Sequence, residues 1–100
     1  MRIDLVRPLA DQRSDAIEMV TIAARLAHEK HENAGGYSME HALDVVGVEG
    51  HPGQGVAQAS INRHRGIQDA RRRAITAINI APHGLAISAA VAAFNQEIVT

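Results

Sequence analysis

The sequence predicts an all-α fold, a compact bundle of four or five short helices carrying a short extended N-terminal arm. Three observations predict it. Alanine fills 18 of the 46 hydrophobic positions and only Tyr37 and Phe94 are aromatic, a composition suited to closely approaching helices rather than to the β-branched and aromatic surfaces of sheets. Apolar residues recur at helical spacing in four segments, and the one alternating stretch runs from Met1 to Pro8. Glycine or proline punctuation separates the helical segments, at Asn33-Ala-Gly-Gly36, Gly47 to Gly55 and Ala81-Pro-His-Gly84.

Taken in order, residues 1–8 read as the arm: Ile3 and Leu5 alternate with Arg2 and Asp4, and Pro8 ends the run. A long helix follows, from Asp11 or Ser14 as N-cap to about Glu32. Its apolar arc, Ala16, Ile17, Met19, Val20, Ile22, Ala23, Ala24, Leu26 and Ala27, exceeds half the circumference, so neighbours should cover it on two sides, leaving Glu18, Arg25, Glu29 and Glu32 to solvent. Ser38 caps a second, two-turn helix with Glu40 near its positive end, and Gly47 stops it. Four glycines and a proline in residues 47–55 make a turn-rich loop. From Val56 to Ala81 a stripe at positions 56, 59, 60, 67, 70, 74, 77, 78 and 81 is interrupted by Arg63 and Gly66. Either one long helix uses Gly66 for a close crossing and hides the Arg63 stem, or Gly66 ends a short helix and another begins near Ile67; the break is favoured. The last helix carries Ile87, Val91, Phe94 and Ile98 on one stripe, with alanines around it.

All 100 residues are assigned to a single helical domain. Leu, Ile, Val and Phe together supply 24 residues, enough for a core but a thin one, so pairing with a second copy is expected, through the last helix and the arc from Ile17 to Leu26. The uncharged stretch from Ala74 to Gln96 is cut by Asn79, Pro82 and Ser88 into pieces too short to span a bilayer and reads as a buried hairpin, with no membrane partner. The opening Met-Arg-Ile-Asp-Leu lacks the apolar core of a signal peptide and no cysteine is present, which points to the cytoplasm of a prokaryotic or phage-infected cell.

Chemical motifs are sparse. In His28-Glu-Lys-His31-Glu32 the zincin pattern would need histidine at 32, so no metal is assigned and the cluster reads as the polar end of an exposed helix. The loop from Gly47 to Gly55 lacks the Lys-Ser/Thr of a phosphate-binding loop, and no serine lies in a nucleophile elbow. No catalytic residue and no cofactor is assigned, and the chain is read as not an enzyme.

The charged feature is arginine, nine of ten basic residues in a chain of net charge −1. Arg63, Arg65, Arg71, Arg72 and Arg73 are the candidate partner-binding residues, since guanidinium forks suit carboxylate and phosphate, with Asp69 placed to neutralise part of the patch. A helix-turn-helix reading would make Ala59 to Arg65 the recognition helix and offer Asn62, Arg63 and Arg65 to DNA, but the seven residues from Glu49 to Gly55 exceed the usual turn of about 3–4 residues. The function expected is a non-enzymatic interaction module that docks on a larger prokaryotic protein or nucleoprotein assembly and modulates or blocks it, a phage-type accessory or anti-defence inhibitor of the anti-CRISPR kind. A small DNA-binding regulator and a structural virion component are the alternatives.

Overall fold

The computed structural model describes residues 3–99, and among them the chain forms four helices and no strand. These are α1 (Leu9–Asn33), α2 (Met39–Val46), α3 (Gln54–Ile80) and α4 (Gly84–Val99), the all-α bundle that composition and periodicity predict. The arm is different. Met1 and Arg2 lie outside the described residues, and the rest is a turn instead of an extended segment: Arg7 N donates to Asp4 O at 3.2 Å and Val6 N to Asp4 Oδ1 at 3.0 Å. Asp4 offers its own backbone a local acceptor, which competes with extension. Buried Gln12 then holds the turn against α1, its Nε2 donating to Arg7 O at 2.7 Å and Leu5 O at 3.4 Å.

Helix α1 begins two residues before Asp11, because Pro8, at φ −52°, is already set for a helix start and its carbonyl accepts from Gln12 N at 3.0 Å. Neither Asp11 nor Ser14 caps it. The far end closes as the glycines predict. Gly36 N donates to His31 O at 3.0 Å and Gly35 N to Glu32 O at 3.2 Å, the two bonds of a Schellman motif, with Gly35 at the left-handed φ of 97°. Ser38 caps α2 by accepting from His41 N at 3.2 Å, and α2 stops before Gly47.

Helix α3 corrects the sequence reading in two ways. It runs unbroken from Gln54 to Ile80, straight through Gly66. Gly66 serves no close crossing either, since a Cβ built there meets nothing within 4 Å. Burial of His64, Ile67 and Ala70 on both sides of it outweighs the ~1 kcal/mol that a helical glycine costs relative to alanine. The N-terminal phase also differs: Ala57, Ser60, Ile61 and His64 are buried, while Val56 and Ala59 are exposed. Ile61 and His64 continue the stripe of Ile67 backwards at helical spacing once the helix is one piece.

Helix α3 is the spine. Helix α1 lies antiparallel to it, tied by Arg13 Nη2 donating to Ala81 O at 2.7 Å at one end and by His28 against His64 at the other. Helix α4 returns along α3, with Arg63 Nη2 donating to Ile98 O at 3.2 Å, and also packs on α1. Helix α2 runs antiparallel to the N-terminal third of α3, where Gln54 Nε2 donates to Val46 O at 3.4 Å. The molecule is therefore elongated, 55 × 22 × 19 Å, with two cores. The larger joins α1, α3 and α4 around Val20, Ile67, Ile78, Ile87 and Phe94; the smaller joins α2 and α3 around Ala42, Val45, Ala57 and Ile61. No helix among the described residues is long and apolar enough to cross a membrane.

Candidate docking surface

The five arginines singled out from the sequence part company on the continuous helix. A 100° step per residue spreads positions 63, 71 and 73 around α3 and puts 65 and 72 on one face. Arg63 is half-buried against the carbonyl of Ile98, and Arg73 pairs with Glu97, so both turn toward α4 and tie the hairpin. Arg65, Arg71 and Arg72 point outward. Arg72 Nη1 lies 3.5 Å from Asp69 Oδ1 with both side chains well exposed, a contact worth little in water and readily exchanged for another carboxylate.

Arg71 and Arg72 belong to a recognisable feature. With Gln68 and half-buried Ile75 they line an open hollow of about 300 Å³ on the surface of α3. Helix α2 is only 8 residues long and packs against α3 through Ala57 and Ile61; Gln68 and Ile75 lie seven and fourteen residues beyond Ile61, on the same side of the helix. The hollow is the continuation of the α2-bearing face past the point where α2 ends. It offers two guanidinium groups beside an isoleucine.

The sequence reading missed a polar junction. His28 and His31 do not form the exposed end of a helix; both rings are partly buried and meet His64, which is almost completely buried. His64 Nε2 lies 2.6 Å from Tyr37 O, and because a carbonyl only accepts, that nitrogen carries the proton and donates. His64 Nδ1 lies 2.6 Å from His28 Nδ1, a hydrogen bond in which one ring donates and the other accepts. One turn back on α3, Ser60 Oγ accepts from Tyr37 N at 3.0 Å. The peptide of Tyr37 is thus held on both sides by α3, which fixes the segment between α1 and α2.

Burial, and next the charge of His64, lower the pKa of both His28 and His31; Glu32 opposes the shift in each, while Arg71 adds to it at His28 and Arg63 at His31. His31 Nε2 is buried without a hydrogen-bond partner, pressed against Gly36, where a Cβ would collide with the ring. Gly36 therefore makes room for His31 as well as ending α1. Among the described residues no three His, Asp or Glu side chains converge as metal ligands would. The sequence signal for this junction existed only in the register: with α3 continuous, His64 falls on the buried stripe and must find partners.

The glycine-rich segment, residues 47–53 before α3 starts at Gln54, is mostly exposed, and His51 Nδ1 accepts from Gly53 N at 2.9 Å, so it is closed by local turns. Comparison with protein-family models, with curated proteins and with solved structures finds no match to this chain.

Proposed function

We propose that the chain is a non-enzymatic interaction module that acts as a homodimer in the prokaryotic cytoplasm. It docks on an acidic surface of a larger protein or nucleoprotein assembly and modulates or blocks it, as a phage-type accessory or anti-defence inhibitor does. The observation that carries the docking is the open hollow on α3 where Arg71 and Arg72 flank Ile75. Exposed arginines next to apolar surface are the composition of an interface centre, and the chain's net charge of −1 makes this basic spot local. The buried polar residues of α3 have structural partners: His64 and Ser60 both hold the backbone of Tyr37.

The DNA-reading alternative gains less from the geometry. Helices α2 and α3 lie antiparallel in a hairpin, Arg63 is engaged by the Ile98 carbonyl, and the would-be recognition segment sits in the middle of a 27-residue helix. Only Arg65 of the proposed reading residues remains an exposed cation.

The test is to capture the partner from a prokaryotic lysate, identify it, and titrate the purified component with the wild-type chain and with Arg71→Glu/Arg72→Glu. Reversal should weaken binding at least tenfold, about 1.4 kcal/mol, and leave helicity unchanged. Equal affinity for both chains removes this face from the interface. Steep salt dependence on duplex DNA alone, with a log–log slope of about −0.9 per phosphate neutralised, supports the regulator reading instead.

A further inference from the structure

The outer face of α4 carries a second surface, whose occupant is identified by its symmetry. Leu85, Ala89, Ala92, Gln96 and Val99 are all exposed and follow one another at spacings of four, three, four and three residues, the seam spacing of paired helices. None is charged. The one charge in α4, Glu97, is engaged by Arg73 on the α3 side. The seam is centred on Ala92: Leu85 stands seven residues before it and Val99 seven after.

At the Val99 end the surface is hollow. A groove of about 360 Å³ opens between α1 and α4, its walls mainly apolar, with Leu26, Ile98 and Val99, and its rim carrying Lys30, His31 and Arg63. At the other end Leu85 protrudes, 68% exposed, beside exposed Leu5. Knob and groove lie about 21 Å apart along the helix, from fourteen residues at 1.5 Å each. A two-fold axis through Ala92 that lays α4 antiparallel on α4 of a second copy brings each Leu85 to the partner's groove, twice by symmetry. The five seam residues carry no charge to repel their copies across such an axis, and alanine at the crossing lets the backbones approach closely.

The chain has surface to give. It exposes 6352 Å², more than the about 5,500 Å² of a compact monomer of its mass, as its 55 × 22 × 19 Å shape requires, and an interface of standard size would take about 800 Å² from each copy. We infer that α4 is the interface of a homodimer, an isologous antiparallel pair in which Leu85 of each copy seats in the groove beside Val99 of the other. The inference names the interface of the pairing proposed above and rests on that pairing, but not on the arginine face.

The test uses the purified chain and exploits its lack of cysteine. Sedimentation equilibrium at about 100 µM should give twice the monomer mass, and Ala92→Glu should give a monomer with an unchanged circular dichroism spectrum. Ala92→Cys, on the axis, should oxidise to a disulfide dimer at least tenfold faster than Leu85→Cys, whose two copies stand about 21 Å apart, beyond the ~7 Å that a disulfide spans. Leu85→Cys mixed with Val99→Cys should cross-link as fast as Ala92→Cys. A wild-type chain that stays at monomer mass overturns both the pairing and its interface. A wild-type dimer in which Ala92→Cys links no faster than Leu85→Cys alone keeps the pairing and overturns this interface.

Discussion

The two ends of α3 are stabilised by different means. Its C-terminal two thirds lie between α1 and α4, where Ile67, Ile78, Ile87 and Phe94 make an apolar core closed on several sides. Its N-terminal third has α2 for company, two turns of helix contributing Ala42 and Val45, and depends besides on polar contacts: Ser60 and His64 holding the Tyr37 peptide. A thin core of small residues contributes little area, so directional bonds carry a larger share there. The smaller unit should open first, and His64, at the join, couples its opening to α1 through His28.

The largest effect is expected in the larger unit. Phe94→Ala empties the site of the biggest buried side chain and should cost about 3–5 kcal/mol, read as loss of all helicity at much lower denaturant. Ile61→Ala should remove about 2–3 kcal/mol from the smaller unit. Much of that should appear as faster amide exchange in α2, with the main melting transition moving less than for Phe94→Ala. Equal shifts of one sharp transition in the two variants would show that the units do not differ.

Acid comes next. Both His28 and His31 have pKa values lowered from the ordinary 6.5, so below that value the unfolded chain binds more protons than the folded one. Stability is therefore fully present above about pH 6.5 and is lost as pH falls through the lowered values. Denaturant titrations on the two sides of this range should show the decline, and His28→Gln should flatten it. A stability that holds constant on the acid side contradicts the lowered values of His28 and His31.

Gly66→Ala gives the smallest change and the opposite sign. Position 66 is helical, exposed and open around its Cβ, so alanine should stabilise by about 0.5–1 kcal/mol, measured as a higher melting temperature. A loss of stability would mean that the glycine serves a bend.

Much of this fold was legible locally. Ser38 as a cap, Gly35-Gly36 as a stop, and Ile87, Val91 and Phe94 as a buried stripe are decided by neighbours in sequence, and the structure has each of them. What was not legible depends on distant residues. Gly66 reads as a break until α1 and α4 are known to clasp the helix around it, and His64 reads as surface until the register across Gly66 is known to bring it to the core. The arginines followed the same rule: their type was visible, but only the packing of α4 separates Arg63 and Arg73, which tie the hairpin, from Arg71 and Arg72, which face outward.

Residue-resolved hydrogen exchange on the native chain tests most directly the claim that one continuous helix serves two unequal units. Protection should run without a gap from Arg63 to Ala70, reaching the global unfolding free energy in the C-terminal part of α3, while α2 and the first turns of α3 exchange through a separate opening of lower free energy. A gap in protection at Gly66, or a single opening free energy shared by α2 and Ile78 alike, would contradict it.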